Sequence, residues 1–180
     1  MKKFLVAVFL IVAVILSISP AFASVRSIKI NKSYHLLYLY DGSNISRVIP
    51  VCTGKGDNED NQTPPGNYEI INIVSNPKWY FEGKTYEPYT VDKNNGLGVV
   101  WMGINLPSYG LHGTNEPFSI GFSISHGCVR MQNSDALKLS KEISAGARIQ
   151  IVEGGKDLLA KHLENIIILY DILNFLKNSN

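Results

Sequence analysis

Beyond residue 23, the first half of the chain reads as short strands of apolar and polar positions separated by turns. Residues 27–30 and 34–40 read as strands on either side of Asn31-Lys32-Ser33, and Asp41-Gly42 marks a hairpin turn into a third strand over 45–53. A polar stretch follows over 54–62. Its Asp57, Glu59 and Asp60 do not match the spacing of a calcium loop, so a solvated hairpin tip is expected. Thr63-Pro64-Pro65-Gly66 turns the chain into another β-rich run over 67–74. Residues 76–98 form a long irregular stretch carrying Trp79, Tyr80, Phe81, Tyr86 and Tyr89, either a cover packed on the sheet or the lining of a substrate groove. Residues 97–104 read as a buried strand. Asn133 or Ser134 then caps a short helix ending at Ile143, with Ala136, Leu137, Ser140 and Ile143 on one face, and 148–152 returns to strand. The pattern predicts an all-β class of domain, mostly strand with one or two short helices.

The two ends differ from this middle. Lys2 and Lys3 precede an uncharged apolar run of 15 residues, 4–18, broken by Ser19-Pro20 and followed by the small-x-small triplet Ala21-Phe22-Ala23. The run is shorter than the ~20 residues that span a bilayer as a helix. Residues 1–23 are therefore expected to be a signal peptide, and the protein to be exported to the periplasm or cell wall. Residues 24–153 form the globular domain. In the extension, 154–180, Leu159, Leu163, Ile166, Tyr170 and Leu173 make an apolar stripe at helical spacing. This C-terminal amphipathic helix is expected to dock on the domain; pairing with a partner or lying on a membrane are the alternatives.

Composition adds little beyond a packed globular chain, 45% apolar and 10% aromatic. The 17 basic residues fall to 15 without Lys2 and Lys3, matching the 15 acids, so nothing points to nucleic acid. A monomer is expected.

The chemistry concentrates in Tyr109-Gly110-Leu111-His112-Gly113-Thr114-Asn115 and Ser125-His126-Gly127-Cys128-Val129-Arg130-Met131. A thiol is the strongest nucleophile available once ionised, but an ordinary cysteine is only a few per cent thiolate at neutral pH and needs a base beside it. In an extended segment His126 and Cys128 share a face, and His112 comes from an adjacent strand. Gly113 and Gly127 allow close backbone approach and leave N–H groups for a developing oxyanion. His35 and His162 read as structural. A cysteine with two histidines is also an incomplete zinc site, but no fourth ligand stands at a suitable spacing, so no metal and no cofactor are expected. The only other cysteine, Cys52, permits a single disulfide or is a small buried hydrophobe.

These residues resemble the signature of the L,D-transpeptidase catalytic domain, the YkuD domain: His-Gly, a gap of about a dozen residues, then Ser/Thr-His-Gly-Cys-x-Arg/Asn. Here 11 residues separate Gly113 from Ser125. Val51-Cys52-Thr53-Gly54 with Thr63-Pro64-Pro65-Gly66-Asn67-Tyr68, and Trp101-Met102-Gly103-Ile104, are similar to further family segments, so the likeness runs over about 25–152. It implies a β-sandwich or barrel-like fold with the cysteine in a groove, Cys128 as nucleophile, His112 as base and the Gly113 carbonyl as its orienting group. It implies that Ser125, His126, Gly127 and Arg130 border the oxyanion and substrate site. The implied substrates are peptidoglycan stem peptides. The resemblance departs at Cys52, where the family more often has a small residue such as Ser.

Overall fold

The computed structural model describes residues 26–56, 58 and 61–154. The expected signal peptide, the C-terminal helix and the acids Asp57, Glu59 and Asp60 lie outside the described residues.

The strands in chain order are β1 (Arg26–Asn31), β2 (Leu36–Asp41), β3 (Asn44–Pro50), β4 (Thr53–Gly54), β5 (Gly66–Ser75), β6 (Trp79–Phe81), β7 (Lys84–Tyr86), β8 (Val100–Ile104), β9 (Gly110–His112), β10 (Ser123–Ser125), β11 (Val129–Arg130) and β12 (Arg148–Val152). Helix α1 (Asn133–Glu142) precedes β12. Eight strands form one sheet in the order β11-β9-β8-β5-β12-β1-β2-β3. Its two ends meet, because the chain just beyond β3 forms an antiparallel bridge between Cys52 and Arg130. Two reciprocal hydrogen bonds make that bridge, Cys52 N–H to the Arg130 carbonyl at 2.8 Å and Arg130 N–H to the Cys52 carbonyl at 2.9 Å. The sheet therefore curls into a barrel-like shape and leaves few unpaired edges.

Alternation explains the interior. Ile28, Ile30, Leu37, Leu39, Met102, Leu111, Val129, Ile149 and Ile151 take every second position on their strands and are buried together. Burying each such side chain contributes roughly 1.5–3 kcal/mol. Helix α1 adds Ala136 and Leu139 to this core, and Ile143 follows them. Glu142 at its end accepts from both Arg26 and Arg47, tying the helix to β1 and β3.

The mostly-β class is as the sequence predicts, and several local details differ. The strand expected from Tyr34 begins at Leu36, because His35 takes a left-handed φ of 53° in the preceding turn. The strand expected over 45–53 ends at Pro50, and Cys52 to Gly54 change partners to β11 and β10. The stretch 76–98 is not wholly irregular: β6 and β7 pair as a hairpin. The buried strand starts at Val100 instead of residue 97. On α1 the buried position is Leu139, three after Ala136, while Leu137 is 40% exposed. Gln132 is the N-cap residue, and no side chain caps the helix.

Candidate active site

The register of three neighbouring strands sorts the motif residues into two faces. Trp101 pairs with His112 and Gly103 with Gly110 across β8 and β9. Val129 pairs with Leu111 and Arg130 with His112 across β11 and β9. Val100, Met102, Leu111 and Val129 point into the core. The alternate set, Trp101, Gly110, His112 and Arg130, faces the other way, and Cys128, just before β11, is hydrogen-bonded to the Gly110 backbone. Glycine is required at Gly110, where a Cβ would lie 2.7 Å from Trp101 Cη2 and from the Met102 carbonyl. The Trp101 ring, brought in this close, stacks on His112 with centroids 5.9 Å apart.

Cys128 ends a tight turn, not the extended segment expected from sequence. Gly127 has φ of 106°, and a Cβ there would meet Tyr109 at 2.7 Å. The Ser125 hydroxyl closes the turn by donating to the Cys128 carbonyl at 2.6 Å and accepting from Gly127 N–H at 3.2 Å. Ser125 is buried, and its polar capacity is spent inside the loop. Thr63, from the Thr-Pro-Pro-Gly turn, donates to the Gly127 carbonyl at 2.7 Å and accepts from Gly54 N–H at 2.8 Å. His126 is exposed, and its ring lies 5.7 Å from Phe81. The turn thus separates it from the side that Cys128 takes.

His112 is 4% exposed. Its Nδ1 lies 2.7 Å from the Gly113 carbonyl. A carbonyl only accepts, so the network assigns the proton to Nδ1 and leaves Nε2 bare. Burial pushes the His112 pKa down to about 4, the Gly113 carbonyl pulls the other way, and the Arg130 guanidinium adds to the lowering. Burial also pushes the Cys128 thiol up, against lowering by a backbone hydrogen bond with Gly110 and by Arg130. Near pH 7 both groups are therefore neutral, and the imidazole is a free base. The half-buried Cys128 Sγ lies 3.5 Å from the Ser108 carbonyl. Arg130 is ion-paired with Glu116, and Gln132 donates to the Pro117 carbonyl at 3.1 Å, which together hold down the segment between His112 and Cys128.

The β6–β7 hairpin covers one side. Trp79 stacks on Phe81 and tilts against Tyr86, both at 4.8 Å, and Phe81 reaches His126. A cavity of about 640 Å³ lies elsewhere, over β1, β2, β5 and β12, lined by Lys29, Tyr40, Glu69 and Arg148 among others. Neither Cys128 nor His112 lines it, so it is not where the thiol works. Cys52 is fully buried and unbridged, its thiol 3.6 Å from the Thr53 carbonyl, as suits a small hydrophobe.

Comparison with known proteins bears on this site. The L,D-transpeptidase catalytic domain model matches residues 25–151. The chain belongs to the L,D-transpeptidase catalytic domain family. A putative L,D-transpeptidase, YqjB of Bacillus subtilis, is 32% identical over 132 residues, covering 71% of this chain and 71% of that protein. Putative L,D-transpeptidase YkuD of Bacillus licheniformis is 34% identical over 115 residues, and the match spans 64% of this chain but only 58% of that relative. Among solved structures, the catalytic domain of the E. faecium L,D-transpeptidase aligns with a TM-score of 0.56 at 18% identity, covering 73% of this chain and 100% of that one. LdtMt1, solved in complex with imipenem, aligns with a TM-score of 0.56 at 16% identity, covering 71% and 59%. These two support the L,D-transpeptidase fold.

Within this L,D-transpeptidase domain, structure adds Trp101, Thr63, Glu116 and Ser108 to the motif residues. Trp101 and Thr63 stand in segments visible in the sequence, but only strand register and loop packing bring them to His112 and Gly127.

Proposed function

We propose that the chain is an exported peptidoglycan L,D-transpeptidase in which Cys128 is the nucleophile and His112 its general base. Nε2 of His112 takes the thiol proton as Sγ attacks the carbonyl carbon of the third residue of a tetrapeptide stem. Backbone N–H groups around Cys128 stabilise the oxyanion. Collapse breaks the amide bond, the imidazolium returns its proton to the leaving amine, and the terminal D-amino acid departs from a thioester. The side-chain amine of a second stem then attacks that thioester. His112 takes the amine's proton and returns it to sulfur as the 3-3 cross-link forms. The Gly113 carbonyl holds the tautomer throughout, as a neutral substitute for the carboxylate of a serine triad.

One observation carries this mechanism: His112 is buried with Nδ1 committed to the Gly113 carbonyl, on the strand whose Gly110 backbone is hydrogen-bonded to Cys128. Ser125 and Gly127 shape the turn, Arg130 fixes the covering segment through Glu116, and His126 lies against Phe81 of the β6–β7 hairpin. Water in place of the amine makes the product an L,D-carboxypeptidase tripeptide, while a lipoprotein lysine or a free D-amino acid gives anchoring or exchange. The test is mass spectrometry of products after incubation with purified tetrapeptide-stem fragments. Release of the terminal D-amino acid with a dimeric product is the expected outcome. Trimming to tripeptide alone would move the assignment to a carboxypeptidase, and unchanged substrate with a reduced thiol would overturn it.

A further inference from the structure

Asn133 opens α1, yet its side chain makes no capping bond there. Its amide reaches into the bend behind His112. Oδ1 accepts from Thr114 N–H at 3.0 Å and from Val99 N–H at 3.2 Å, and Nδ2 donates to the Thr114 carbonyl at 2.8 Å. The bend is shaped to receive it: a Cβ at either Gly113 or Gly98 would sit 2.1 Å from Asn133 Oδ1. Two glycines therefore give up their side chains where this one amide enters.

The consequence for His112 follows from peptide geometry. Thr114 N–H and the Gly113 carbonyl are opposite ends of one planar unit, so fixing the N–H fixes the direction of the C=O. Donation through the N–H also polarises the carbonyl and strengthens it as an acceptor. That carbonyl is the group 2.7 Å from His112 Nδ1. We infer that Asn133 is a positioning residue for His112, acting through the 113–114 peptide and thereby selecting the tautomer with Nε2 bare. The inference rests on Cys128 and His112 being nucleophile and base. Asn133 touches neither substrate nor thiol; it sets the acceptor that sets the base.

The test pairs two substitutions with two readouts. Asn133→Ala removes every bond of the amide, whereas Asn133→Asp keeps an oxygen for Thr114 N–H and sets an acceptor against the Thr114 carbonyl in place of the donor. Ring ¹⁵N shifts of His112 report the tautomer independently of turnover, and the rate of Cys128 acylation by a tetrapeptide-stem donor reports the chemistry. With folding verified by circular dichroism, Asn133→Ala is expected to lose the single Nδ1–H tautomer and about 10²-fold in acylation rate, the scale of a misplaced catalytic group. Asn133→Asp is expected to keep the tautomer and most of the rate. A folded Asn133→Ala variant with the wild-type tautomer and rate would overturn the inference. So would a loss in Asn133→Asp as deep as in Asn133→Ala with the tautomer intact, because the amide would then act only by tying the loop. If Asn133→Ala does not fold, the Asp variant decides: loss of its tautomer despite the retained oxygen overturns the inference. Wild-type protein lacking the Nδ1–H tautomer or any Cys128 acylation would instead refute the proposed nucleophile and base.

Discussion

Acidification should destabilise this domain through His112, and a non-titrating variant isolates the effect. His112 is buried neutral with its pKa lowered from 6.5 to about 4. Between those two values the unfolded chain binds a proton that the folded one refuses, so stability present above the unfolded pKa is lost as pH falls toward the folded pKa. Integrating from pH 7 to pH 4 gives a loss of about 3 kcal/mol from this one group. That is a large share of the roughly 5–15 kcal/mol that holds a typical domain folded. His112→Gln cannot titrate, so denaturant unfolding of both proteins at pH 7, 5.5 and 4 should show wild type losing about 3 kcal/mol more than the variant. His35, whose pKa burial also lowers, is common to both and cancels. Parallel losses in the two proteins would refute the buried, neutral imidazole. They would also remove the reason for treating the His112 imidazole as unprotonated at neutral pH.

Three further outcomes follow from the same geometry. Cys128→Ala should abolish product formation while Cys52→Ser, which keeps a small side chain at a fully buried position, leaves most of it; equal loss from two folded variants would contradict the assignment. His112→Ala should lower acylation by about 10²–10⁴-fold, the usual range for losing a general base, and near-normal acylation between pH 6 and 8 would point to His126 instead. Carbapenems, whose strained carbonyl meets the same oxyanion donors, should leave an adduct on Cys128 visible by intact-protein mass spectrometry, and penicillins a less stable one; no adduct with a reduced thiol would count against a transpeptidase.

What was legible in the sequence was local. Two short motifs, separated by 11 residues, mark His112 with Gly113 and Ser125, His126, Gly127 and Cys128 as the candidate site. What was not legible depends on register between strands distant in the chain. The parallel pairing of β11 with β9 sets Arg130 beside His112, and the Cys52–Arg130 bridge closes the sheet. Local propensity misled where tertiary contacts won. Asn133 reads as a helix cap, but the cavity left by Gly98 and Gly113 draws its amide away. His126 and Cys128 read as neighbours on one strand face, but the positive φ of Gly127 turns the chain between them.

The most direct measurement is the mass and location of the acyl group during turnover. Enzyme mixed with a tetrapeptide-stem donor and no amine acceptor, then acid-quenched, should carry the stem minus its terminal D-amino acid. Peptide mapping should place that adduct on Cys128, and Cys128→Ala should show none. An adduct on another residue, one that persists in Cys128→Ala, or none at all on wild type with a reduced thiol would contradict acyl transfer through Cys128.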